Sequence, residues 1–230
     1  EPTPAAATNA PPDGFVDLVK HIPGLVVDLR YHTADNFTGA PLPGYAAPGA
    51  WLRAAPADAL KLVHQDLGAK GLGLKVYDAY RPLRATRAMV AWATRTDQVA
   101  LLDGGYVSRY SGHNRGNTVD LSIVTLATGA ELDFGTPWDT LSEASHTRAA
   151  VGVASENRYL LKGAMEARGF KYYFREWWHF TFVEEREKEL PHRDVPYGCA
   201  EVPEGQWKAP AGWDAPGYTP PAPVAAAPCR

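Results

Sequence analysis

The sequence predicts an α+β domain, and three observations carry that prediction. Helical and strand-like stretches follow one another without the regular strand–helix alternation of a doubly wound parallel sheet. The strand-like stretches are short and rich in branched or aromatic residues. A chain of 230 residues, 45% of them hydrophobic, can bury one sizeable core.

In chain order, residues 1–12 are Pro/Ala-rich and read as a flexible lead-in to a domain over 13–202. Phe15-Val-Asp-Leu-Val and Leu25-Val-Val-Asp-Leu-Arg-Tyr31 read as strands. Pro56 to Leu67 reads as an amphipathic helix with Leu60, Val63, His64 and Leu67 on one face, stopped near Gly68. Leu74 to Tyr80 reads as a strand. Pro82 then opens a second helix that runs to about Thr96, proline being suited to a first turn.

Val119 to Val124 alternates as a strand, with Asp120 and Ser122 on the face opposite Val119, Leu121 and Ile123. Ser155 to Arg168 is a third helix, with Leu160, Leu161, Ala164 and Met165 together and Gly169 as its stop. Phe170–Phe174 and Trp177–Phe182 are aromatic strands. Residues 203–230 are rich in Pro, Gly and Ala yet carry Trp207, Trp213 and Tyr218, so this tail is expected to wrap the domain surface.

Composition excludes several functions. The net charge is −3 and no run of Lys/Arg forms a phosphate track, which argues against a nucleic-acid partner. No apolar stretch is long enough to span a bilayer. The two cysteines, Cys199 and Cys229, form no Cys-x-x-Cys and cannot build a Cys-rich zinc site. A disulfide between them would tie down the tail in an oxidising compartment; two free thiols are the alternative. The opening Glu-Pro-Thr-Pro-Ala-Ala-Ala reads as a mature N-terminus after signal removal, or as a boundary set by cloning. The first reading favours a periplasmic or secreted bacterial protein, with the cytoplasm as alternative.

The chemistry lies in two separated segments, Ser111-Gly-His-Asn-Arg-Gly-Asn-Thr-Val-Asp120 and Glu176-Trp-Trp-His179. They supply two histidines, an aspartate and a spare glutamate. Three N and O ligands with an open fourth position suit a catalytic zinc, whereas a structural zinc is closed. Gly112, Gly116 and Asn117 argue against a helix, so His113 is expected on a tight loop feeding the strand that bears Asp120. Glu176 fits the non-ligand carboxylate that shuttles a proton beside a ligand histidine. On an ideal strand residues 176 and 179 point to opposite faces, so a bend is expected there. Arg81 sits at a strand-to-helix corner, where it either stabilises an oxyanion or pairs with Asp78.

Four ordered motifs carry a family resemblance over about residues 14–198. They are Arg30-Tyr-His-Thr-Ala-Asp-Asn-Phe-Thr-Gly39 with Gly44-Tyr45, Tyr77-Asp-Ala-Tyr-Arg-Pro82, Ser-x-His-x-x-Gly-x-x-x-Asp at 111–120, and Glu-Trp-Trp-His at 176–179. Together they resemble the D-alanyl-D-alanine dipeptidases, a branch of the zinc D,D-peptidases. The resemblance implies a small antiparallel sheet flanked by helices, the Hedgehog/D,D-peptidase-like fold. It also implies one zinc per chain on His113, Asp120 and His179, Glu176 as general base and then acid, and Arg81 at the oxyanion. By the same resemblance Asp139 receives the ammonium of a small dipeptide, Ser111 and Tyr106 lie near its carboxylate, and Tyr31 lines the pocket.

Thr118 departs from the family's small alanine. The implied activity is hydrolysis of D-Ala-D-Ala in cell-wall turnover or glycopeptide resistance. A D,D-carboxypeptidase or endopeptidase, and a non-catalytic metal-binding module, stand as alternatives. A third, wall binding through the aromatic tail, rests on Trp207, Trp213 and Tyr218 alone.

Overall fold

In the computed structural model, which describes residues 9–198 and 201–219, short strands precede most of the helices. The chain runs β1 (Phe15–Asp17), α1 (Leu18–His21), β2 (Val26–Val27), β3 (Trp51–Arg53), α2 (Ala54–Gly68), β4 (Leu72–Asp78), α3 (Leu83–Arg95) and α4 (Val99–Asp103). It continues through β5 (Thr118–Thr125), α5 (Gly152–Glu166), β6 (Phe170–Tyr172) and β7 (His179–Phe182). The α+β class holds. Cys199 and Cys229 lie outside the described residues.

One five-stranded sheet, in the order β2-β4-β5-β7-β6, organises the molecule, and β1 and β3 form a separate antiparallel pair. Within the larger sheet β4–β5, β5–β7 and β6–β7 are antiparallel. The edge strand β2 runs parallel to β4, so the sheet is mixed where an antiparallel one was expected. All of β5 except Thr125 is buried, which fits its place between two neighbours. The helices α2 and α5 pack on the sheet and on each other. From α2, Leu60, Val63 and Leu67 are buried, the i, i+3, i+7 spacing of one helix face.

Several boundaries differ from the sequence reading for local reasons. The Asp17 carboxylate accepts a hydrogen bond from Val19 N–H, capping α1 and ending the first strand after three residues. The second expected strand stops at Val27. Its continuation folds into a 3-10 turn at Arg30–His32, where Thr33 bonds back to Arg30 O through both N–H and Oγ–H. The last strand begins at His179, not Trp177. Three elements escape the sequence reading, α1, β3 and α4; each is too short for a periodic pattern to register.

Residues 201–219 run against α3. The Glu201 carboxylate accepts hydrogen bonds from Gly44 N–H and the fully buried Arg84, and Trp207 lies over the Arg84 guanidinium. Trp213 contacts both Trp207 and Tyr218. Among the described residues, no helix is long and apolar enough to cross a membrane.

Candidate metal centre

The β5–β7 register pairs Asp120 directly with His179, so a carboxylate and an imidazole leave neighbouring strands on the same side. His113 arrives on a 3-10 turn, Gly112–Arg115. Ser111 caps that turn: its Oγ accepts from His113 N–H at 3.2 Å. The turn is bolted to the corner after β4, because Arg81 N–H donates to His113 O at 3.1 Å and Asn114 Nδ2 donates to Arg81 O at 2.8 Å. Gly116 closes the turn at φ 74°, and a Cβ there would meet the Phe15 ring at 2.1 Å, so only glycine fits.

Three atoms form a triangle. Asp120 Oδ1 lies 3.2 Å from His113 Nε2 and 3.1 Å from His179 Nδ1, and the two nitrogens are 3.4 Å apart. A tetrahedral zinc with bonds of about 2.0–2.1 Å spaces neighbouring ligand atoms roughly 3.3 Å apart. His113 Nδ1 is 2.7 Å from Ala79 O, so that nitrogen carries the proton and Nε2 presents a lone pair. Asp120 Oδ1 is buried and has no hydrogen-bond partner. A buried carboxylate oxygen with no hydrogen-bond partner, facing the His113 lone pair and the His179 Nδ1, calls for a cation, and the donor set fits zinc.

The charges follow the geometry. Burial pushes the Asp120 carboxyl up, but His113 and His179 outweigh it and hold the group well below the usual carboxylate range. Burial pulls His179 below its ordinary value despite Asp120. Both directions favour the unprotonated donors a metal needs.

Glu176 precedes β7 on a turn closed by Glu176 N–H to Tyr173 O at 3.2 Å, and His179 N–H returns to Glu176 O at 3.4 Å. This bend removes the opposite-face problem of an ideal strand. It brings Glu176 Oε2 to 3.4 Å from His179 Nδ1. Burial, reinforced by Asp120 and Asp139, lifts the Glu176 carboxyl well above its ordinary range; Arg81 opposes this.

Arg81 pairs with Asp78, one of its two sequence readings, and it also lines the cavity. Its Nε donates to Asp78 Oδ2 at 2.9 Å, its Nη2 stands 3.8 Å from Asp120 Oδ2, and the guanidinium lies over the Tyr31 ring. Asp78 is fully buried and also accepts from Tyr45 O–H at 2.6 Å. The sequence reading treated Asp78 only as a partner for Arg81. The i, i+3 spacing of the two was the available signal.

Asp139 adopts a left-handed φ of 63°, tolerated by aspartate, and accepts from Tyr31 O–H at 3.0 and 3.2 Å. Burial pushes its carboxyl up to about 8, helped by Asp120 and opposed by Arg81 and Tyr31. Tyr106 O–H pairs with His146 Nε2 at 2.8 Å. Tyr31, Arg81, Tyr106, Ser111, Asp120, Asp139, Glu176 and His179 line one cavity of about 380 Å³, with the fully buried His113 behind them. Met89, Leu102, Val107 and Trp178 add apolar wall that the sequence reading did not identify. Thr118 is outside that lining. It is fully buried and pairs with Thr181 Oγ1 at 2.9 Å across β5 and β7, so the departure packs the sheet.

Two imidazoles and a carboxylate brought together from two neighbouring strands and a capped turn, with a further carboxyl and a guanidinium lining the same cavity, are the parts of a metallopeptidase. Residues 12–198 match the D-ala-D-ala dipeptidase family, Peptidase_M15. The chain belongs to that family, a family of zinc metallopeptidases.

It is 35% identical over 188 residues to a D-alanyl-D-alanine dipeptidase of Enterococcus faecalis, covering 75% of this chain and 93% of that one. It is 35% identical over 196 residues to one of Streptomyces coelicolor, covering 79% and 94%. It is 35% identical over 168 residues to one of Escherichia coli, covering 72% and 83%. A solved vancomycin-resistance D,D-pentapeptidase in complex with Zn(II) overlaps 63% of this chain and 80% of its own at 14% identity; the TM-score of 0.39 is too low to bear on function.

Proposed function

We propose that this chain is a zinc dipeptidase that hydrolyses D-Ala-D-Ala or a closely related dipeptide with a free amino end. The observation that carries the reading is the buried, unpartnered Asp120 Oδ1 set between His113 Nε2 and His179 Nδ1, at the wall of the cavity that Glu176, Arg81 and Asp139 share. His113, Asp120 and His179 would hold one zinc per chain. When bound, the ion supplies a Lewis acid for the scissile carbonyl and makes water acidic enough to attack near neutral pH.

The remaining work falls to side chains. Glu176, lifted in pKa, takes the proton of the attacking water and delivers it to the leaving amine. Arg81, its plane fixed by Asp78, donates towards the carbonyl oxygen as it gains charge. Asp139, steadied by Tyr31, receives the substrate ammonium. Ser111 and Tyr106 stand near the substrate carboxylate. A cavity of about 380 Å³ suits a short peptide, and an ammonium reader inside it makes a blocked amine costly through unpaired charge.

Metal analysis joined to a substrate panel tests this reading. Zinc near one equivalent, with D,D-dipeptides cleaved ahead of L,D- and L,L-dipeptides and a tripeptide, is expected. Equal cleavage of N-acetylated dipeptides or tripeptides would hand the assignment to a carboxypeptidase. Metal binding without turnover would make it a binding module.

A further inference from the structure

Arg158 is 1% exposed, on the core face of α5. None of its hydrogen-bond acceptors among the described residues is a carboxylate. Nε donates to Phe134 O at 2.7 Å, and Nη1 donates to Ala144 O at 3.0 Å and His146 O at 2.7 Å. Burying a guanidinium against neutral acceptors alone is costly, so the site demands a return elsewhere. The three carbonyls stand at the two ends of one loop, 134–146, and Asp139 lies between them. One planar fork therefore fixes both ends of the loop that carries the ammonium reader.

The loop is held to α5 at its start as well. Asn157 Nδ2 donates to Asp133 O at 2.8 Å. Gly135, at φ 79°, lies so close that a Cβ would meet Ala154 Cβ at 3.1 Å and Arg158 Nη2 at 3.5 Å. Inside the loop, Ser145 Oγ donates to Thr140 O at 2.6 Å and meets Thr136 Oγ1 at 3.0 Å. These bonds tie the residues flanking Asp139 to each other, so a shift of either anchored end reaches its left-handed backbone. His146 O is one of the anchors, and the same residue's ring meets the O–H of Tyr106, which lines the cavity.

We infer that Arg158 is a positioning residue for substrate selection: by clamping both ends of loop 134–146 it sets where Asp139 meets the ammonium of the dipeptide. The inference rests on the reading of Asp139 given above. Arg158 is neither one of the three metal donors nor part of the cavity lining. The loop also meets the Glu176–His179 segment, through Trp177 N–H to Ser145 O at 3.1 Å, so zinc content and kcat are read beside KM to separate recognition of the amino end from an effect on that segment.

A double-mutant cycle on the zinc-loaded enzyme tests it, using Arg158→Lys, Asp139→Asn and the pair. A lysine keeps the charge but cannot span both loop ends. Arg158→Lys is expected to raise KM for a free-amine dipeptide roughly tenfold, to leave kcat within about threefold, and to leave zinc content unchanged. In the Asp139→Asn background the same change should move kcat/KM by less than about twofold. Equal fold-changes in both backgrounds would show a scaffold role independent of Asp139 and overturn the inference. An unchanged KM in Arg158→Lys overturns it too. Should Asp139→Asn alone leave KM unaltered, the ammonium role of Asp139 is what has failed, and the role of Arg158 falls with it. Arg158→Met removes all three hydrogen bonds; if it folds, it should extend the lysine effect in the same direction, and a wild-type KM would count against the inference.

Discussion

Asp120 and His179 are directly opposed across β5 and β7, with Oδ1 and Nδ1 3.1 Å apart, and the sheet register alone puts them there. His113 reaches the same point from a capped turn that is bonded to the Arg81 corner. The donors are thus held by backbone pairing before any ion arrives, and a metal that binds only the folded state must stabilise it. Zinc added to the chelated protein is expected to raise Tm, with about 2.7 kcal/mol gained at a hundredfold excess over Kd. Asp120→Ala should lose both the zinc content and the shift, by metal analysis and thermal denaturation. A shift of wild-type size in that variant would place the metal elsewhere.

Glu176 gives a cleaner separation of binding from turnover. Its carboxyl lies beside the metal triangle but is not one of the three donors. Glu176→Gln should therefore keep zinc near one equivalent and lose turnover by about 10²–10⁴, the usual worth of a positioned acid–base group. Steady-state kcat read beside metal content checks this. Near wild-type kcat would remove Glu176 from the proton pathway.

Asp139 makes a pH-linked prediction. Its carboxyl is pushed up to about 8 in the free site, first by burial and then by Asp120. An ammonium seated against it favours the ionised form and lowers that value. Below pH 8 the free group carries a proton that the complex does not, so binding a free-amine dipeptide mimic at pH 7 should release a proton. Titration calorimetry in buffers of different ionisation enthalpy measures the release. Asp139→Asn should abolish it, and an N-acetylated mimic should not show it. Release of the same size in Asp139→Asn would assign the proton to another group.

The sequence made the centre legible because its residues sit in short spaced motifs. The loop around His113, the alternation that places Asp120 and the bend needed at Glu176 all follow from local rules. What stayed hidden depends on contacts between distant segments. Nothing near Arg158 in sequence says that an arginine will be buried against carbonyls 12 to 24 residues away. It sits among the core-facing positions of α5, where the sequence reading placed only apolar side chains. The parallel pairing of β2 was equally unreadable, since two paired residues carry no periodic pattern. Arg30 and Tyr31 read as the end of a strand because their branched and aromatic neighbours favour extension, while Thr33 turns the backbone locally.

His64 supplies a test of the fold away from the metal. It lies on the buried face of α2, 8% exposed, and its Nδ1 accepts Leu74 N–H at 3.2 Å, joining α2 to β4. That bond requires an unprotonated Nδ1, and burial pulls the group below its ordinary 6.5. Below pH 6.5 the unfolded chain takes up a proton that the folded chain refuses, so unfolding becomes easier as pH falls. The stabilisation is complete above pH 6.5 and is lost on descent through the folded value, each unit of depression contributing ~1.4 kcal/mol. His64→Asn keeps an acceptor near the Nδ1 position and cannot titrate. Its Tm should fall less than that of the wild type between pH 8 and pH 5.5, on the scale of the cited linkage. Some slope should remain, because His179 and His192 are also pulled below their ordinary values. If the two proteins lose Tm in parallel, His64 is protonated in the fold and the α2–β4 hydrogen bond is not what joins the helix to the sheet.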